Sequence, residues 1–180
     1  MKALDFCLVV IAFLGSPIVN AVPVNIVTDP TWEQSLDGVS WLAAEVQIDG
    51  TFADWIWPSS SVGMEAVYFR RVFELQGVPT YSIFHYGFIG DGVVVINGTE
   101  AFSRTGGSSF SGGVDVSSLI GSGLNEVFVE IRPTSSGSVY PGSFTGYLEL
   151  EGAHLVPEPS TLWCVLLPVI GLLSRSRVAG

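Results

Sequence analysis

Apolar residues in the middle of this chain recur at every second position, and no stretch between residues 22 and 155 sustains the spacing of a helix. In Glu126–Arg132, Val127, Val129 and Ile131 fall on one face while Glu126, Glu130 and Arg132 fall on the other. Phe144–Glu151 repeats the pattern, with Phe144, Leu148 and Leu150 inward and Thr145, Glu149 and Glu151 outward. A period of two is the signature of half-buried strands, because successive side chains leave opposite faces of a sheet. Ala66–Glu74 is dense in aromatic and β-branched residues, which suit a pleated surface. Tyr81–Ile89 and Val93–Ile96 are apolar on both faces and are expected to run centrally. Turn signals separate these runs: Gly90-Asp91-Gly92, Asn97-Gly98, Gly106-Gly107 and Gly121-Ser122-Gly123. Asn97-Gly98 favours the positive φ values of a two-residue hairpin turn. The expected fold class is all-β, an antiparallel sandwich of jelly-roll type.

The two ends follow different rules. Residues 1–21 open with Lys2, run apolar from Phe6 to Leu14 and close on Ile18-Val19-Asn20-Ala21. A positive start, an apolar stretch and small residues before the boundary describe a secretory signal peptide, predicted as a helix and cut after Ala21. At the other end, Val156-Pro157-Glu158-Pro159-Ser160-Thr161 leads into the apolar run Leu162–Leu173, with Arg175 and Arg177 behind it. That run contains Pro168 and falls short of the roughly 20 residues needed to span a bilayer. The trailing arginines suit a hydrophobic helix held in a membrane with its C-terminus on the cytoplasmic side. Pro157-Glu158-Pro159, the apolar run and the arginines together resemble a PEP-CTERM sorting signal over residues 156–180. The resemblance implies a bacterium that makes extracellular polysaccharide, and processing by an exosortase at or near the Pro-Glu-Pro motif. The implied route is export, a transient inner-membrane anchor, and then the cell envelope, cell surface or extracellular matrix.

With the ends set apart, residues 22–155 form one domain, large enough for a single core. The two cysteines, Cys7 and Cys164, both lie in the terminal segments, which excludes a disulfide scaffold or a thiolate zinc site in the domain. The chain carries a formal charge of −10, and the domain's basic residues are Arg70, Arg71, Arg104 and Arg132. So acidic a surface disfavours nucleic acid, and an acidic polysaccharide needs a bridging cation or a local basic patch. Arg70 and Arg71 alternate faces in one run, so one is expected to face inward and pair with a buried carboxylate.

A second resemblance spans most of residues 39–151. Trp55-Ile56-Trp57-Pro58, followed by Val67-Tyr68-Phe69-Arg70-Arg71-Val72-Phe73-Glu74-Leu75, looks like the opening of a galactose-binding-domain-like jelly roll, a type that accompanies glycan-active enzymes. Asp91-Gly92-Val93-Val94-Val95-Ile96-Asn97-Gly98 is similar to the strand ending in Val-Asn-Gly in those domains. Asp115–Leu119, Gly123-Leu124-Asn125 and Gly146–Leu150 continue the landmarks in order. Where such domains often carry paired aspartates, this chain has Ile89-Gly90-Asp91.

Catalytic signatures are missing from the sequence. The two histidines, His85 and His154, lie far apart, and His85 among Phe84, Tyr86 and Phe88 reads as a core or sheet-surface residue. No Gly-x-Ser-x-Gly elbow occurs, and Gly106–Gly113 lacks the lysine of a phosphate loop and reads as a flexible loop. Asp49, Asp54, Asp91 and Asp115 lie near turns, where aspartate commonly bonds to local backbone. Gathered at one end of the sandwich, they could hold a structural calcium with loop carbonyls. No other cofactor or metal is expected. Trp55 and Trp57 are two apart, so in a strand they share a face and could stack on sugar rings, with Tyr86 joining them and Asp91 nearby; packing in the core is the competing expectation. The expected function is that of an exported, non-catalytic envelope or matrix protein that binds extracellular polysaccharide, its other partners being the export machinery and an exosortase-like enzyme. Two alternatives stay open: a small glycan-active hydrolase or its accessory domain, and a self-associating adhesive or structural subunit.

Overall fold

The computed structural model describes residues 23–48, 53–58, 64–107, 110–133 and 142–156. The predicted signal helix, the sorting motif at Pro157–Pro159 and the hydrophobic C-terminal helix lie outside the described residues, as do Ala21 and Asp49. The described residues contain strands and no helix. In chain order the strands are β1 (Val24–Val27), β2 (Glu33–Ser35), β3 (Leu42–Ala43), β4 (Val46–Ile48), β5 (Trp55–Ile56), β6 (Val67–Gln76) and β7 (Tyr81–Phe88). They continue with β8 (Gly90–Ile96), β9 (Thr99–Gly107), β10 (Phe110–Asp115), β11 (Gly123–Arg132), β12 (Phe144–Glu151) and β13 (His154–Leu155).

These strands form two antiparallel sheets packed face to face. One has six strands in the order β10-β7-β12-β5-β4, with β1 also paired to β12. The other has seven in the order β3-β2-β6-β11-β8-β9, with β13 also paired to β6. The long pair β6–β11 runs in unbroken register from Leu75 opposite Gly123 to Val67 opposite Ile131. As expected, the doubly apolar runs lie inside their sheets, β7 between β10 and β12 and β8 between β11 and β9. Asn97 and Gly98 take φ of 50° and 79°, as the β8–β9 hairpin turn requires.

The inward phase of each strand builds one core. Val67, Phe69, Phe73 and Leu75 of β6 and Val127, Val129 and Ile131 of β11 meet Phe84 and Phe88 of β7 and Phe144, Leu148 and Leu150 of β12. Phe144 is the hub: its ring centroid lies 5.2 Å from Trp32, 5.7 Å from Phe69 and 6.0 Å from Phe88. The Trp32 indole N–H donates to the Val27 carbonyl at 2.9 Å, which satisfies the polar edge of a buried ring.

Three expectations need correction. Thr145, expected outward, is buried, because the chain at Ala53 covers it and its hydroxyl donates to the Ala53 carbonyl. The Gly106–Gly113 stretch is largely strand rather than a flexible loop: β9 ends at Gly107, β10 begins at Phe110, and a bulge falls between Ser111 and Val114. Gly113 sits where a Cβ would strike Ile83 and the His85 ring, so glycine there reflects close approach. The third is one of detail: Arg70 is the outward member of the arginine pair, and its carboxylate partner Glu33 is partly exposed. Arg71 takes the inward phase and donates Nη1 to the Thr31 carbonyl at 2.6 Å.

Candidate functional site

The outer face of the seven-stranded sheet carries the most chemistry among the described residues. Strand phase decides which side chains stand there. With Val67, Phe69, Phe73 and Leu75 inward on β6, Tyr68 and Arg70 face outward; with Val127, Val129 and Ile131 inward on β11, so do Glu126, Phe128, Glu130 and Arg132. The register then sets neighbours: Arg70 lies between Glu33 on β2 and Phe128 on β11, Tyr68 is opposite Glu130, and Arg132 is opposite Asp91 on β8.

Trp41, half-buried just before β3, lies over this face. The Arg70 guanidinium sits 4.2 Å from the centre of the Trp41 ring, a cation–π contact, while its Nε donates to Glu33. Phe128 is edge-on to Trp41 at 6.2 Å and lies 5.9 Å from Tyr68. Three half-exposed rings therefore adjoin one another, bordered by carboxylates and two guanidinium groups. Arg132 donates to Glu130 at 2.8 Å, a hydrogen bond that holds its guanidinium above the ordinary pKa.

The loop from Leu36 to Trp41 positions this platform. Asp37 Oδ1 accepts from the backbone N–H of Val39 at 2.8 Å and of Ser40 at 2.7 Å, and from the Ser35 hydroxyl at 2.9 Å. Ser35 Oγ in turn accepts from the Gly38 N–H at 2.9 Å. These bonds favour the ionised carboxylate and hold the Asp37 pKa well below the usual carboxylate range, backbone N–H of Ser40 being the largest cause. Gly38, at φ of 72°, turns the loop so that it packs against the Tyr68 ring. A cleft of about 290 Å³ opens beside the loop, walled by Leu36, Leu42 and Met64 with Gln34, Asp37 and Glu45 at its polar margin. Gln34 Oε1 accepts the Glu45 backbone N–H, which ties β2 to the chain before β4.

The residues predicted from sequence are not brought together. Tyr86 is 8% exposed and packs against Phe88 and Phe102, so it is core and unavailable for stacking. Trp57 is 9% exposed, and β5 stops at Ile56, so Trp55 and Trp57 do not make an exposed pair. Trp55 is half-buried in the six-stranded sheet. Asp91 alone stands on the outer face described above, where its carboxylate accepts the Gly106 N–H at 2.7 Å. Of the turn aspartates, Asp91 and Asp115 do not come together. Asp115 lies opposite Ile83 near the start of β7 and Asp91 follows its far end, so roughly 15 Å of strand separates them. Among the described residues, no group of three or more histidine, cysteine, aspartate or glutamate side chains could hold a metal ion. His85 lies on the outer face of the six-stranded sheet, stacked on Tyr147 at 4.3 Å with Nε2 3.6 Å from Glu149.

Trp41, Tyr68, Phe128 and the Arg70–Glu33 pair were not singled out from sequence. A signal existed for two of them, since Tyr68 and Phe128 are aromatic residues at outward positions of otherwise alternating strands. Trp41 carried none, because its place depends on the fold of the Asp37 loop.

No protein-family model matches the sequence, and no curated protein is similar to it at a significant level. Solved structures do show similarity. The FMN-binding beta-glucuronidase from Facaelibacterium prausnitzii L2-6 superimposes with a TM-score of 0.48 at 17% identity, over 73% of this chain and 23% of that one. The b-glucuronidase from Ruminococcus gnavus gives a TM-score of 0.48 at 16% identity, over 75% of this chain and 30% of that one. This chain thus spans less than a third of the length of either enzyme.

Proposed function

We propose that this chain is an exported, non-catalytic surface or matrix protein that binds carbohydrate through the outer face of its seven-stranded sheet, on a jelly-roll scaffold. One observation carries the binding role: Trp41, Phe128 and Tyr68 adjoin one another on an outward face and are bordered by Glu33, Arg70 and Glu130. Aromatic rings offer a flat apolar surface for the C–H face of a sugar, and flanking carboxylate and guanidinium groups exchange hydrogen bonds with its hydroxyls. Export and sorting rest on the signal-like residues 1–21 and on Pro157-Glu158-Pro159 with the apolar run behind it. Release of the chain from the inner membrane is then the work of an exosortase-like enzyme.

Affinity electrophoresis of the purified chain through gels containing polysaccharide from an exopolysaccharide-forming bacterium tests the binding role. Retardation that Trp41→Ala abolishes, with no new reducing ends on long incubation, is the expected result. Unretarded migration of a folded sample overturns the binding role, and release of reducing ends overturns the non-catalytic one.

A further inference from the structure

We infer that the ligand of this face is a neutral polysaccharide, its sugars free of carboxylate and sulfate groups; this rests on the carbohydrate-binding role proposed above and specifies its substrate class. Charge carries the inference. Glu33, Glu126, Glu130 and Asp91 stand on the outward phase of β2, β11 and β8, and Asp37 and Glu65 are exposed beside them. Against them the face sets Arg70 and Arg132, and each already has a carboxylate partner, Glu33 for Arg70 and Glu130 for Arg132. Arg70 is further engaged by the Trp41 ring. Each pair is made through Nε, so a uronate or sulfated sugar could reach either guanidinium only at its Nη groups, beside a glutamate that repels the incoming anion.

Hydroxyl groups meet the opposite situation. Ionised carboxylates act only as acceptors, and a neutral sugar presents many O–H donors. The platform is also broader than a single ring. Phe128 has Trp41 on one side and Tyr68 on the other, at 6.2 and 5.9 Å between centroids and with ring planes inclined by 72° and 33°, so the face offers more than one aromatic surface to a chain of sugars. Arg104 lines a hollow on the same sheet with Asp91, Glu130 and Arg132, so the added cation meets carboxylates there too.

The test uses the purified full chain, titrated with neutral polymers (galactomannan, mixed-linkage glucan, dextran) and anionic ones (polygalacturonate, hyaluronate), following tryptophan fluorescence at low and high salt. The expected result is saturable binding of at least one neutral polymer, with an affinity that changes less than about twofold between about 0.02 and about 0.5 M salt. Anionic polymers should bind at least about tenfold more weakly at low salt, where repulsion is least screened. Trp41→Ala should abolish neutral binding, while Trp41→Tyr, which keeps a ring and guards against simple misfolding, should retain most of it. Glu126→Arg should narrow the gap in favour of polygalacturonate. An anionic polymer that binds as tightly as any neutral one, and loses affinity as salt rises, overturns this inference alone. Failure of every polymer to bind a folded sample overturns the carbohydrate-binding role and the inference with it.

Discussion

Two side chains show how single residues hold this molecule's irregular parts in place. Asn125 is 2% exposed and fully satisfied: its Oδ1 accepts from the Gly121 N–H and from Asn97 Nδ2, and its Nδ2 donates to the Gly121 and Gly123 carbonyls. Asn125→Ala strands three half-buried backbone groups of Gly121 and Gly123 and should cost about 2 kcal/mol, read from urea unfolding. Asp37 does for the Leu36–Trp41 loop what Asn125 does for the turn before β11, but at the surface. Its pKa is lowered from 3.8, so the folded state favours the carboxylate, and the stability this contributes is complete above that value. As pH falls below 3.8 toward the lowered folded value, the contribution is lost. Asp37→Ala should therefore be less stable than the parent chain at neutral pH, with the difference shrinking in acid; a difference that stays constant with pH would contradict this. Little of it could be read from sequence. Asp37-Gly38 is a plain turn signal, and nothing in its spacing says that the turn carries Trp41 onto a neighbouring sheet.

At the level of elements, glycine placement separates constraint from freedom. Gly92 of β8 faces inward, where a Cβ would run into the Phe88 ring, whereas a Cβ on Gly112 of β10 would meet nothing within 4 Å. Gly92→Ala should destabilise by about 1–3 kcal/mol and Gly112→Ala by much less, measured as the shift in the urea midpoint. Equal effects would mean that β8 and β7 do not pack as described. Strand β11 and most of β12 were legible because one face is buried and the other solvated, which is what alternation reports, and β6 through its density of aromatic and β-branched residues. Thr145 broke the pattern because the chain near Ala53 covers the outside of β12 at that point, a tertiary fact that no local window contains. The glycine-rich stretch around β10 misled for the opposite reason. Glycine marks loops and close-packed strand bulges alike, and only the position of His85 beneath Gly113 distinguishes them.

For the molecule as a whole, the all-β, two-sheet architecture was readable and the site was not. Alternation and turn chemistry are repeated along the domain and reinforce one another, whereas the aromatic platform exists only once β6 and β11 are in register and the Asp37 loop has folded over them. The tryptophan pair most visible in sequence went mainly to packing, with Trp57 buried at 9% exposure. Adjacency along the chain is therefore a poor guide to adjacency on the surface. What distinguishes the outer face of the seven-stranded sheet is the coincidence of rings and charged groups drawn from four separate segments of chain. Its use as a carbohydrate platform is tested most directly by the tryptophan indole N–H signals in an NMR titration with a neutral oligosaccharide. The Trp41 signal should move with saturation, while that of Trp32, 1% exposed and bonded to the Val27 carbonyl, stays fixed. A shift confined to Trp55, or no indole shift at ligand concentrations that saturate binding, would contradict the assignment of the platform.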